Sequence, residues 1–106
     1  MPKYLGKVQF TPEGLKGLRK SGAASRVELG HTIAAGLGGT LEAYYFAFGE
    51  HDVYAILDLP DDEAAAALSI AINEAGASKA TVAKLLTAEQ VDEAFKRSVA
   101  YTPPGQ

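Results

Sequence analysis

Thr40-Leu41-Glu42-Ala43-Tyr44-Tyr45-Phe46-Ala47-Phe48-Gly49-Glu50-His51-Asp52-Val53-Tyr54-Ala55-Ile56-Leu57-Asp58-Leu59 reads as two strands joined by a short turn at Gly49-Glu50. In the first strand, Thr40 to Phe48, strict alternation puts Leu41, Ala43, Tyr45 and Ala47 on one face. Glu42, Tyr44, Phe46 and Phe48 fall on the other. Both faces are therefore apolar or aromatic. In the second strand, His51 to Leu59, Val53, Ala55, Leu57 and Leu59 share a face opposite Asp52, Tyr54, Ile56 and Asp58.

Working outward, Tyr4 to Phe10 is a further strand. Tyr4, Val8 and Phe10 share a face with Gly6 between them, and Leu5 lies opposite beside Lys3 and Lys7. Thr11-Pro12-Glu13 opens a helix: Thr11 caps it, Pro12 suits the first helical position and Glu13 suits the positive end of the dipole. Leu15 and Leu18 mark its buried side. Ser21-Gly22 interrupts it. A second helical run carries Ala23, Val27, Gly30, Ala34 and Leu37 as its stripe, widened by Ile33, and ends at Gly38-Gly39.

Downstream of the hairpin, Pro60-Asp61-Asp62-Glu63 opens a helix with Ala64, Leu68, Ala71, Ile72 and Ala75 as its stripe, stopped by Gly76. Ala80 to Leu86 is a fourth strand. Thr87 and Gln90 then form a capping box for a last helix with Val91, Ala94 and Phe95 on its apolar side. With right-handed crossovers, this order predicts an α+β, ferredoxin-like βαββαβ domain with an added C-terminal helix. Its four-stranded antiparallel sheet carries the helices on one face. One domain spans residues 1–101, and 102–106 form a tail.

A sheet with helices on one side should be polar on the side that meets water. Two apolar faces on residues 41–48 therefore predict that the chain is its own partner, as a homodimer or higher oligomer packed sheet to sheet or edge to edge. The alternative is that the last helix folds across the open face of its own sheet.

The chain has 106 residues, a net charge of −3 and no cysteine. Scattered lysines and arginines on an acidic background speak against a nucleic-acid partner, because neutralising phosphates takes clustered cations. Thiolate chemistry, disulfides and cysteine metal sites are excluded. No run of about 18 apolar residues exists to span a membrane. Met1 to Leu5 does not read as a signal peptide. The expected location is cytoplasmic, in a bacterium.

Several stretches together resemble a known family. They are Lys3-Tyr4, Phe10-Thr11-Pro12-Glu13-Gly14, Gly38-Gly39, Tyr44 to Asp52, Leu59-Pro60-Asp61-Asp62-Glu63-Ala64 and Leu86-Thr87. Residues 1–101 resemble the GYD domain family, small bacterial proteins named for a Gly-Tyr-Asp signature. Where that signature has tyrosine, this chain has His51. The resemblance implies a fold of the dimeric α/β-barrel group, whose sheets pair across a two-fold axis.

Candidate chemistry centres on His51, Asp52 and Tyr54. Histidine titrates near neutrality and suits a general base. Asp52 shares a strand face with Tyr54 and has a structural use too, bonding backbone N–H groups at the turn. His31 lies three residues after Glu28, at local charge-pair spacing. Tyr4, Tyr44, Phe46, Phe48 and Tyr54 are candidates to line a pocket for a small apolar or aromatic ligand, or to be core and interface. No metal site and no cofactor is expected. Two functional readings follow. One is a homo-oligomeric module that binds a small ligand or acts as an assembly unit. The other is a cofactor-free enzyme of the monooxygenase or isomerase type, with His51 or Asp52 as base and Tyr54 steadying an enolate-like intermediate.

Overall fold

The hairpin forms between β2, Thr40–Phe46, and β3, Val53–Asp58, so each strand is shorter than its apolar pattern. The computed structural model describes residues 1–106. Between the strands, Ala47 donates to the Asp52 carbonyl at 2.9 Å and Gly49 to the His51 carbonyl at 3.2 Å. Phe48 takes a left-handed φ of 54°. His51 and Asp52 therefore belong to the connection, not to a strand.

The remaining elements are β1 (Lys3–Phe10), α1 (Pro12–Ser21), α2 (Ala23–Gly36), α3 (Asp62–Ala75), β4 (Ser78–Leu85) and α4 (Ala88–Phe95). The strands are ordered β2-β3-β1-β4, with every neighbouring pair antiparallel. This is the ferredoxin-like arrangement. Thr11 accepts from the Gly14 N–H, and Thr87 and Gln90 make the reciprocal capping box, as the sequence predicts. Gly14 also marks a close approach. A Cβ there would lie 1.8 Å from the Ala77 carbonyl oxygen, so the start of α1 rests directly on the backbone ahead of β4.

One irregularity changes which side chains face the helices. Leu41 pairs with Leu57, but the next partners are Ala43 and Ile56, which leaves Glu42 as an extra residue on β2. A bulge of this kind reverses the alternation beyond it. Leu41, Tyr44 and Phe46 thus share the helix-facing side with Val53, Ala55 and Leu57. Ala43 and Tyr45 face away, beside Ile56 and Tyr54. This corrects the expected division of β2, in which Leu41 stood with Ala43 and Tyr45. The bulge seats Tyr44 and Phe46 in the apolar layer and leaves Glu42 at the surface, where its carboxylate meets the Lys3 ammonium at 2.8 Å; Lys3 also reaches Asp58 at 2.9 Å. These bonds raise the Lys3 pKa, Glu42 contributing most, and the Lys3 ammonium lowers that of Asp58.

The core gathers at one end of the layer between sheet and helices. Tyr4, Leu41, Leu57 and Leu59 meet Ala34 from α2 and Ala65 and Leu68 from α3. The α3 stripe is shifted from its expected position, since Ala65 is buried while Ala71 and Ala75 are exposed. In α1, Leu18 is buried and Leu15 is exposed. The α4 helix buries none of its residues. It neither covers its own sheet nor joins the core, and Phe95, Val99 and Tyr101 are 78%, 81% and 70% exposed.

Candidate functional site

Three places in the molecule hold the residues that the sequence singles out. The first is the turn between β2 and β3. Asp52 is committed to structure there: its carboxylate accepts the Phe10 N–H at 2.8 Å, and its own N–H donates to the Val8 carbonyl at 2.8 Å. It thereby ties the turn to the end of β1. His51, not Asp52, comes to Tyr54. The His51 Nδ1 and the Tyr54 hydroxyl are 3.4 Å apart, with the rings edge to face at 5.8 Å. Strand alternation does not apply to His51 because it lies outside β3. His31 is exposed on α2 and makes no ion pair with Glu28, whose carbonyl instead accepts from the Thr32 hydroxyl at 3.2 Å.

The second place is the open face of the sheet. Leu5, Ala43, Tyr54, Ile56 and Leu85 are half-buried there, and Tyr45 is exposed. Helices α2 and α3 lie against the other face, so no helix of the chain covers this one. Its apolar character comes from different residues than the sequence suggests, because the bulge turns Tyr44 and Phe46 inward.

The third place borders the core within the helix-facing layer and shares Leu41, Ala55, Leu57 and Leu68 with it. Tyr44, Phe46 and Phe48 form a row, with ring centres 5.4 Å and then 5.9 Å apart. Beside the row, a cavity of about 90 Å³ opens between sheet and helices. Gly6, Val8, Ala55, Ala80 and Val82 form its floor, with Leu29 and Ile33 of α2 and Leu68 and Ile72 of α3 above. Of the five aromatic residues named as pocket candidates, Tyr44 lines this cavity. Tyr4 sits in the core, its hydroxyl donating to Asp62 at 2.6 Å, and Tyr54 lies on the other side of the sheet.

Arg26, near the start of α2, reaches this cavity and was not singled out in the sequence. Its Nε is buried without a hydrogen-bond partner. None of the five ion pairs in the chain includes it. The Tyr44 hydroxyl lies beside the guanidinium. Burial raises the Tyr44 pKa, and the neighbouring cation opposes the rise. A signal existed in the sequence: a cation in the first turn of a helix stands against the macrodipole, and no acid offsets it on that turn.

No three histidine, aspartate or glutamate side chains gather in a way that could hold a metal ion. No helix is long and apolar enough to cross a membrane. No curated protein and no solved structure matches the chain. The model of the GYD domain matches residues 4–95, from the second residue of β1 to the last of α4. With the ferredoxin-like sheet and most of its length inside that match, this chain belongs to the GYD domain family.

Proposed function

We propose that the chain is a self-assembling module, in which the open sheet face and α4 are both closed by a second copy. The observation that supports this reading is its surface. The chain exposes 7364 Å², whereas a compact monomer of 11.1 kDa exposes about 5,700 Å². The excess is about 1,700 Å² per chain, so two chains could remove about 3,400 Å² from water, within the range of obligate homodimer interfaces. The radius of gyration tells the same story, at 16.8 Å against about 13 Å for a compact domain of this length. Much of the excess belongs to α4 and the residues after it. An isolated eight-residue helix is marginal in water, so α4 needs a surface to pack on.

The test combines light scattering with small-angle X-ray scattering at micromolar concentration. A dimer is expected, and the double substitution Phe95→Glu with Val99→Glu should shift it toward monomer. A wild-type monomer overturns the reading. If its radius of gyration is near 13 Å, α4 has folded back on its own sheet.

A second reading, a cofactor-free enzyme of the monooxygenase or isomerase type, draws on the contact between His51 and Tyr54. The pair lies at the edge of the face that a second copy would enclose. Aromatic and dicarbonyl compounds should then raise the melting temperature, and His51→Ala or Tyr54→Phe should abolish the rise. A rise that survives both substitutions rejects these residues as the site.

A further inference from the structure

We propose that the cavity between sheet and helices is a binding site for a small monocarboxylate with an aliphatic tail, the carboxylate held by Arg26 and the tail lying on the sheet. This site stands apart from the assembly reading, because every residue that builds it comes from one chain.

Three observations converge on it. The first is the unpartnered Nε of Arg26. A buried guanidinium nitrogen without an acceptor is costly, and proteins rarely leave one in that state. A carboxylate supplies what is missing, since its two oxygens match the fork of the guanidinium and its charge balances Arg26. The Tyr44 hydroxyl lies beside the same guanidinium and carries a proton it can donate.

The second observation is the shape of the space. The cavity of about 90 Å³ lies beside a second hollow of about 210 Å³, and Phe10, Arg26 and Ser78 line both. Arg26 therefore stands at the junction between an apolar space and a more polar one. Glu13 also borders the second hollow; its exposed carboxylate lies 3.7 Å from Lys16 and makes no ion pair with Arg26. The arrangement fits an amphiphile that places its tail inside and its head at the junction. An apolar cavity of about 150 Å³ accepts benzene, so this one takes a smaller, flexible tail.

The third observation is how the floor stays open. Gly6 lies on β1 in the middle of the sheet, where a glycine weakens a strand. A Cβ at Gly6 would meet its nearest neighbours, Leu57 Cδ1 and the Ala55 carbonyl oxygen, at 3.7 and 3.9 Å, which is ordinary contact. No crowding requires glycine here. What its missing side chain provides is room above the sheet.

The experiment is a titration of ¹⁵N-labelled full-length chain with linear alkanoates from acetate to octanoate, each paired with the alcohol of equal length. The readout is the Arg26 Nε–Hε resonance. A saturable shift is expected, with affinity rising about fourfold per methylene until the tail fills the cavity. Each alcohol should bind about tenfold or more weakly than its acid. Arg26→Gln should erase that preference. Gly6→Ala should keep the fold while weakening the longer acids more than the shorter ones. The proposal is overturned if no alkanoate shifts Arg26 up to about 10 mM. Alcohols that bind as tightly as acids also overturn it, as does a preference for acids that persists in Arg26→Gln. Should Arg26→Gln fail to fold, the comparison of acid with alcohol in the wild-type chain still decides.

Discussion

Each end of the layer between sheet and helices holds a tyrosine beside a charged side chain, and the two ends are finished differently. At one end Tyr4 is 2% exposed and donates to Asp62 at 2.6 Å, with Leu59 and Ala34 fully buried close by. Asp62 in turn meets Lys84 at 3.3 Å, so the carboxylate that Tyr4 bonds has a cation beside it. At the other end Tyr44 is half-buried beside Arg26, whose Nε has no acceptor, and space remains under the helices. Packing and charge balance are complete where the chain needs only to hold together. They are incomplete where a ligand would complete them.

The largest effect that can break this comparison is a cavity made at the closed end. Leu59→Ala should cost about 3 kcal/mol, because a fully buried leucine leaves a void that rigid neighbours do not fill. Ile72→Ala, beside space already present, should cost about 1 kcal/mol. Urea denaturation of both variants gives the two values, and equal losses would mean that the ends are packed alike.

Next comes the response to pH. The Tyr4 pKa is pushed up to about 12, first by its hydrogen bond to Asp62 and then by burial. An unfolded tyrosine titrates near pH 10, so the folded chain holds this proton more tightly. That contribution to stability is fully present below about pH 10 and is lost as pH rises toward the folded value. Asp62 is shifted down, first by Tyr4 and then by Lys84. Its contribution is present above about pH 4 and is lost as pH falls further. Tyr4→Phe should reduce the alkaline loss and blunt the acid one. Tyr44→Phe should leave the acid loss in place and act on the alkaline one alone, because burial raises the Tyr44 pKa too. Melting temperatures across pH distinguish the two variants.

A smaller effect tests the open end directly. Arg26→Met replaces an uncompensated charge with an apolar chain of similar length. It should raise the stability of the ligand-free protein by about 1 kcal/mol. A loss of that size would show that the guanidinium is already satisfied. Smallest is Gly6→Ala, which should gain about 0.5 kcal/mol by limiting the unfolded chain, because the new methyl group meets nothing closer than 3.7 Å. A loss in the same measurement would mean that the floor is tighter than the geometry shows.

Much of this fold is legible in the sequence because its signals are local. Thr11, Thr87 and Gln90 bond within their own turns. Gly76 takes the left-handed φ of 81° that ends α3. The hairpin follows from composition and spacing alone. The bulge at Glu42 is not legible, because the residue that β2 leaves unpaired is set by its register against β3, which exists only in the folded sheet. For the same reason the aromatic row joins Leu41 on the helix-facing side, where strict alternation sets it opposite Leu41. The meeting of His51 with Tyr54 escapes strand alternation because the turn consumes two residues that look like strand. Arg26 is overlooked for another reason. A lone cation among helical residues reads as solvated surface until the layer beneath it is known to be apolar.

The extra residue at Glu42 has a reach beyond its own ion pair. Were Glu42 taken into regular pairing instead, every partner beyond it would move by one, turning Tyr44 and Phe46 outward and Tyr45 inward. Deleting the glutamate would do the opposite: it would straighten β2 and keep Tyr44 and Phe46 against the helices. One register step, with no change in any amino acid, decides which side of the sheet carries these rings.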